Sequence, residues 1–206
     1  MYQPEAFRPR DPDLARDLVR DFPFATLLTA GGTEINHLPL LLRDDLPGAA
    51  MVLEGHVARG NPVASAAENA APVTALFHGP ETYVSPRWYV SEGQVPTWNY
   101  AVVHASGRFR PIEDPTEVLT AMERLVRRFE GESGWSMTGL PPAARDGMLG
   151  AIRYFRIEIE SFEAKFKLSQ NRATADRASV ERHLAESNDP RHAEMLRYLK
   201  RANTGK

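Results

Sequence analysis

Four times the chain sets an Asp or Asn directly before a proline, at Asp11-Pro12, Asn61-Pro62, Asp114-Pro115 and Asp189-Pro190. The side-chain oxygen accepts from orphan amides of a first helical turn, and proline is tolerated there because its missing N–H had no partner to lose. Each pair therefore predicts a helix start. Leu14, Leu18 and Val19 supply the apolar stripe of the first helix, which ends by Pro23. Asn61-Pro62 opens a short alanine-rich helix. After Asp114-Pro115 the residues Val118, Leu119, Met122, Leu125, Val126 and Phe129 form one apolar face, with Gly131 as the stop. The last pair starts a terminal helix carrying Met195, Leu196 and Leu199, preceded by another over Ala178 to Ala185.

Between these helices the chain is β-prone. Phe24 to Thr29, Gly31-Gly32 and Ile35 to Leu42 have the pattern of a hairpin, and Ala50 to Val57 predicts a third strand. Pro72 to Phe77, Thr82 to Ser85, Val102 to Phe109 and Tyr154 to Ile159 continue the sheet, with Phe155, Ile157 and Ile159 on one side of the last. Residues 132–149 hold a Pro-Pro turn and one short helix. Strands interspersed with helices predict an α+β fold, a small antiparallel barrel with peripheral helices, in a single domain over 1–206 that ends in a helical tail at about 173–206. Neither GxGxxG nor GxxxxGK[ST] occurs, so the usual dinucleotide and P-loop sites have no support.

Composition narrows the chemistry. With no cysteine among 206 residues, disulfides, thiolate metal sites and Cys nucleophiles are excluded, which leaves ligation to six histidines and to oxygen. A net charge of −2 offers no broad basic field. The basic excess lies in residues 163–206, with ten Lys+Arg against six Asp+Glu, which is modest for phosphate backbones; DNA is a possible but unfavoured partner. No apolar run has the length of a bilayer span, and charges stand where a signal peptide would be apolar, so the expectation is a cytoplasmic protein without a membrane partner.

Three segments are too rich in polar and aromatic residues for plain core. Gly55-His56-Val57-Ala58-Arg59-Gly60-Asn61-Pro62 puts a histidine at a strand end, ahead of an arginine and a helix N-terminus, a place that suits an anionic cofactor as well as a structural histidine. From Tyr83 through Ser85, Trp88, Tyr89, Trp98 and Asn99 to Tyr100 come two Trp and three Tyr in 18 residues, suited to stacking on a flat ring or to an interface between copies. Lys165 to Arg172 alternates apolar residues with hydrogen-bond donors, including Lys167, Ser169 and Gln170.

Together these blocks resemble the PaiB family, described as FMN-binding split-barrel proteins and negative transcriptional regulators. The resemblance runs end to end. It is carried by Met1-Tyr2-x-Pro4 with Phe7, by Pro23 to Leu27, by Asn36 to Leu40, by Gly55 to Arg59 with Asn61-Pro62, by Tyr83-Val84-Ser85-Pro86, by Pro96 to Tyr100 and by Lys167 to Asn171. It implies a split barrel, a homodimer and a small-molecule ligand.

The same family contains heme-dependent piperazate synthases, which form an N–N bond by cyclising N-hydroxyornithine. Their axial ligand matches His56, so the resemblance implies heme b on His56; a base or acid near the departing oxygen, Lys167 or Tyr83, is expected to handle the proton. The short link from Tyr89 to Pro96 and the stretch Gly134 to Gly139 resemble the synthases, whereas Asn171 and His104 resemble the general PaiB pattern. FMN is the alternative cofactor, in a regulator or a flavin-dependent oxidoreductase. Its phosphate would call on Arg59, the amides after Asn61, Lys167 and Ser169. The aromatic and basic blocks are expected to converge on one pocket, with Trp88, Trp98 and Tyr83 as walls, Lys167 and Gln170 as polar anchors, and Ser85 and Asn99 as further cofactor-binding residues.

Overall fold

A computed structural model describes residues 1–46 and 51–204. The helices are α1 (Pro12–Asp21), α2 (Pro62–Glu68), α3 (Pro115–Glu130), α4 (Pro142–Gly150), α5 (Thr174–Ala185) and α6 (Pro190–Thr204). The strands are β1 (Phe24–Thr29), β2 (Glu34–Pro39), β3 (Leu41–Arg43), β4 (Val52–Ala58), β5 (Pro72–Val84), β6 (Thr97–Pro111) and β7 (Ile152–Lys167). Each Asx-Pro pair heads a helix as the sequence predicts. Asp11 accepts from the Asp13 amide at 2.9 Å, Asn61 from Val63 at 2.9 Å, Asp114 from Thr116 at 2.8 Å and Asp189 from Arg191 at 3.0 Å.

The strands form one sheet in the order β2-β1-β5-β6-β7-β4-β3, an α+β arrangement. The run Ile35 to Leu42 is not one strand but two. Pro39 has no N–H for a ladder, Leu40 is fully buried and donates to Pro23 at 2.8 Å, and the chain leaves β2 on one sheet edge to enter β3 on the other. The break at Leu40 thus sets the sheet's two edge strands next to each other in sequence.

Three further differences concern continuity and burial. Pro72 to Phe77 and Thr82 to Ser85 belong to the single strand β5, because Gly79 lets it pass the helix: a Cβ there would stand 2.7 Å from Leu18 Cδ1 and 3.1 Å from the Ala101 carbonyl oxygen. The last strand runs to Lys167 rather than Ile159, absorbing the start of the third polar segment. On α3, Val118, Ala121 and Leu125 are buried while Phe129 is 56% exposed, so the apolar face stops one turn short of the helix end. Ala50, expected in the third strand, lies outside the described residues.

The chain divides into two compact units, whose boundaries fall within β5 and β6 and near the middle of β7. The first comprises Met1–Phe22, Leu76–His104 and Phe162–Lys206. Its core holds Leu14 and Leu18 of α1, Phe166 of β7, and Met195 and Tyr198 of α6, with the Tyr198 ring near both Phe22 and Phe166. The second unit comprises Pro23–Ala75 and Ala105–Ser161. Leu27, Leu53, Phe109, Phe155 and Ile157 are fully buried in it, and the Phe109 and Phe155 rings meet edge to face at 4.9 Å. A second cluster joins Ile112, Val118, Ala121 and Tyr154, packed against Met122 and Leu149.

Candidate functional site

In the second unit the site begins with the register of β4 on β7. The strands are antiparallel with His56 opposite Tyr154 and Glu54 opposite Arg156. Residues two apart share a face and paired residues share it too, so Glu54, His56, Tyr154 and Arg156 all emerge on one side of the sheet.

His56 is half-buried, with its ring stacked on Tyr154 at a centroid distance of 6.2 Å and 15° between planes. Its Nδ1 is buried and has no hydrogen-bond partner among the described residues. Burial pushes the imidazole pKa below its ordinary value, so the neutral ring is the stable form near pH 7. Tyr154 is 2% exposed; burial and the Glu54 charge push its phenol pKa up, and it stays protonated.

Beside them Glu54 is fully buried. It accepts from Arg124 at 2.9 and 3.0 Å, from Arg156 at 2.9 Å and from Arg43 at 3.3 Å. Burial alone would raise its pKa. The hydrogen bonds from Arg124 and Arg156 and the charges of Arg124 and Arg43 outweigh that and hold the carboxyl below its ordinary range. This ionic cluster was missed in the sequence because its members come from β3, β4, α3 and β7.

Arg59, just past β4, donates through Nε to the Gly150 carbonyl at 2.8 Å. Together with Tyr154, Arg153 and Leu149 it lines a cavity of about 580 Å3. Asn61 is committed at both ends of its amide: Oδ1 caps α2 and Nδ2 donates to Asn36 Oδ1 at 2.9 Å.

The first unit gathers the other blocks. Asn99 and Ser169, both buried, hydrogen-bond each other twice, at 3.0 and 3.1 Å. Ser169 holds a left-handed backbone at φ 62°, a conformation costing about 1 kcal/mol or more in a residue with a Cβ. The strain sits in a tightly tied turn. Gln170 Oε1 accepts from the Leu168 amide at 2.6 Å, its Nε2 donates to the Phe166 carbonyl, and the Arg172 amide donates to the Ser169 carbonyl at 2.9 Å.

Lys167 Nζ donates to Thr97 Oγ1. Burial, with the charges of Lys165 and Arg172, pushes its ammonium pKa below the usual value despite the opposing effect of Tyr100. Tyr83 and Trp98 meet edge to face at 6.0 Å and are 45% and 54% exposed. Ser85 caps the short turn Pro86–Trp88 by accepting from Arg87 at 3.3 Å. Trp88 stacks on His183 at 5.4 Å and meets His192 edge-on at 6.1 Å, partners on α5 and α6 that no local motif announces.

The residues picked out by sequence thus fall into two sets. His56, Arg59 and Asn61 lie in one unit; Tyr83, Ser85, Trp88, Trp98, Asn99, Lys167, Ser169 and Gln170 lie in the other. Among the described residues no cluster of three or more His, Asp or Glu could hold a metal ion, and no helix is long and apolar enough to cross a membrane.

Residues 1–161 match the model of a family described as "Putative FMN-binding domain". "Protease synthase and sporulation protein PAI 2" of Bacillus subtilis (strain 168) is 32% identical over 206 residues, covering 97% of this chain and 96% of that one. The chain belongs to this PaiB-type, FMN-binding family.

Two solved structures share its fold. The FAD and heme binding protein from Mycobacterium smegmatis has a TM-score of 0.55 at 18% identity, over 76% of this chain and 71% of that one. The flavocytochrome Anf3 from Azotobacter vinelandii has a TM-score of 0.56 at 13% identity, over 76% and 67%. The shared architecture is the split barrel. In this PaiB-type barrel the block Gly55 to Pro62 supplies the end of β4 and the capped start of α2, while Lys167 to Asn171 supplies the end of β7 and the strained turn beyond it.

Proposed function

We propose that this PaiB-type protein holds heme b through His56 and is an enzyme of the piperazate synthase type, forming an N–N bond within N-hydroxyornithine. The observation that carries the reading is the state of His56: a neutral, ring-stacked imidazole, positioned by β4 and β7, with a buried nitrogen that no described residue satisfies. Buried polar atoms left without partners are uncommon, and a bound group is one explanation. Neutral imidazole is the normal protein ligand of heme iron in a chain without cysteine. The fold-mate from M. smegmatis is described as binding FAD and heme, which agrees with a split barrel hosting either.

In the reaction the amino nitrogen attacks the hydroxylated nitrogen, the new N–N bond forms as the N–O bond breaks, and the oxygen leaves with two protons as water. No oxidant or reductant is consumed. Heme iron, when bound, supplies a Lewis acid. This chain supplies the proton traffic, for which we assign Lys167, whose ammonium is already pushed toward the neutral form, and the exposed phenol of Tyr83.

The second reading is FMN binding in a regulator or oxidoreductase, favoured by the family match over residues 1–161. Against a tight phosphate clamp at the expected residues, the Val63 and Ala64 amides after Asn61 and the Ser169 hydroxyl are already engaged within the chain, which leaves the terminal guanidinium nitrogens of Arg59 and the ammonium of Lys167, already shared with Thr97. Either reading is expected in a homodimer, for which the exposed Tyr83, Val90, Val95 and Trp98 supply apolar surface.

The test is the visible spectrum of protein expressed with ample heme and flavin, followed by His56→Ala. A Soret band that disappears in the variant, with turnover of N-hydroxyornithine by the wild type, is the expected result. A Soret band unchanged in His56→Ala overturns the ligand assignment. Heme binding without turnover overturns the reaction alone, and a flavin spectrum in place of heme moves the conclusion to the second reading.

A further inference from the structure

Two blocks singled out in the sequence, the one from Met1 to Phe7 and the one from Lys167 to Asn171, have parts that find no use in the heme reading. Both border one cavity of the first unit, of about 720 Å3, reached by Glu5, Arg8 and Arg10 from the N-terminal segment and Gln170 from the strained turn. Arg177 of α5 and Asn203 of α6 complete its polar lining, with Phe166 as its largest apolar contact.

The segment is fixed in place: Gln3 Nε2 donates to the Ala164 carbonyl, the Met1 ammonium pairs with Glu163 at 2.8 Å, and the Phe7 amide donates to the Pro4 carbonyl at 2.9 Å. The turn at Gln170 is equally fixed, both ends of its amide being tied to the backbone. This cavity is therefore lined from pre-set walls.

Its charge is lopsided. Three guanidinium groups line it against the single carboxylate of Glu5. Among the described residues neither Arg8 nor Arg10 is in an ion pair. Arg177 is half-buried and its donors are poorly used: Nε is buried without a partner, and the terminal nitrogens reach Asn203 Oδ1 only at 3.5 Å and Thr174 Oγ1 at 3.4 Å, the outer limit of a hydrogen bond. The neighbouring carboxylates are occupied elsewhere, Asp176 by the amides of Val90 and Ser91 and Glu181 by Asn203 Nδ2. A guanidinium is a rigid fork of donors matched to planar carboxylates and to phosphates, so under-used forks facing one cavity ask for an oxyanion. The volume falls in the range of metabolite pockets, about 300–1,000 Å3, and is more than a bare ion fills.

We propose that this cavity is a binding site for a small organic polyanion, carrying phosphate or carboxylate groups, with Arg177 as its central contact and Arg8 and Arg10 at its mouth. It shares no lining residue with the cavity that Arg59 and Tyr154 line in the second unit, and it does not depend on the heme assignment.

The test is calorimetric titration of the full chain at low ionic strength with two probes, pyrophosphate and citrate. We expect saturable binding of at least one with a Kd of about 1 mM or tighter, weakened tenfold or more in Arg177→Gln and in the exposed double variant Arg8→Gln/Arg10→Gln. Binding of pyrophosphate alone identifies phosphate chemistry, and binding of citrate alone identifies carboxylates. Circular dichroism and cofactor content unchanged from wild type show that the variants are folded, and the double variant serves if Arg177→Gln is not. No saturable binding of either probe, or binding that both variants retain, overturns the proposal.

Discussion

Glu54→Gln removes one negative charge from a place where three guanidiniums converge, and the structure says which of them suffers. Arg43 keeps a second carboxylate in Asp45, at 2.6 Å, and Arg156 keeps Glu117, at 2.8 Å. Arg124 hydrogen-bonds no carboxylate but Glu54 among the described residues, and its side chain is only 31% exposed. Breaking a buried pair costs about 3–5 kcal/mol when it strands a charge. One stranded, partly wetted guanidinium with a glutamine oxygen still present belongs at the low end, about 3 kcal/mol. For a chain of this length that lowers Tm by about 6–12 °C.

The assay is guanidinium denaturation followed by tryptophan fluorescence, with Arg124→Met and the double variant completing a cycle. The double variant should lose at least about 1 kcal/mol less than the two single losses together, because the charge stranded by the first change is removed by the second. The pH dependence has a definite sign. Glu54 titrates below the 4.5 of an ordinary glutamate, so its contribution is present above that pH and is lost as pH falls through the folded-state value. The gap between wild type and Glu54→Gln should narrow only below about pH 4.5. A variant within 2 °C of wild type at pH 7 or a gap unchanged at pH 3 refutes the reasoning.

Other outcomes follow from single contacts. His56, with its pKa pushed down by burial, binds its proton later in the folded than in the unfolded chain; stability of the cofactor-free protein should fall as pH drops below about 6.5, and His56→Gln should flatten that slope in urea titrations at pH 7.5 and 5.5. His104 is shifted the same way and leaves a residual slope. Gly107→Ala places a Cβ 1.9 Å from the Glu158 carbonyl oxygen, so β7 backbone must move, and a loss of about 3 kcal/mol or more, or failure to fold, is expected in thermal melts. Lys167→Met should cut turnover of N-hydroxyornithine tenfold or more while leaving the Soret band in place; full activity in the variant would remove Lys167 from the proton path. Light scattering of the wild type at micromolar concentration should give twice 23.0 kDa, and a stable monomer would count against the homodimer.

Helix starts were legible in the sequence because an Asx-Pro pair acts within one turn, and all four hold in the structure. Strand ends were harder, because what extends or divides a strand lies far away in the chain. Leu40 is one apolar residue in an apolar run, yet it marks the crossing from one sheet edge to the other, and only the choice of β1 and β4 as partners reveals it. Gly79 and Pro80 look like a break until Leu18 packs over the glycine. The alternation over Tyr154 to Ile159 marks Phe155, Ile157 and Ile159 as one side and Tyr154 only as the strand's start; its pairing with His56 depends on a register that no local pattern states.

The candidate site divides along the same line. A sequence block shows which hydrogen-bonding groups are present, and the fold decides which remain available. Asn61, Ser85, Asn99, Ser169 and Gln170 were all attractive as ligand anchors, and each spends polar atoms on capping or on the turn after β7. Each of these groups is local to its block or satisfied by one strand neighbour, which is why its commitment is cheap for the chain to encode. His56 and Arg177 differ. One nitrogen of each, His56 Nδ1 and Arg177 Nε, is buried and without a partner among the described residues, as are Tyr89 Oη, Arg153 Nε and His192 Nδ1; His56 sits on β4 opposite β7, and Arg177 lines the cavity beside the N-terminal segment and α6. A buried donor or acceptor left unmade costs about 1–3 kcal/mol, more when charged, so a ligand that satisfied one of these atoms would return free energy that a side chain already engaged cannot. That places the search for ligands at His56 and Arg177 ahead of the polar residues the motifs display.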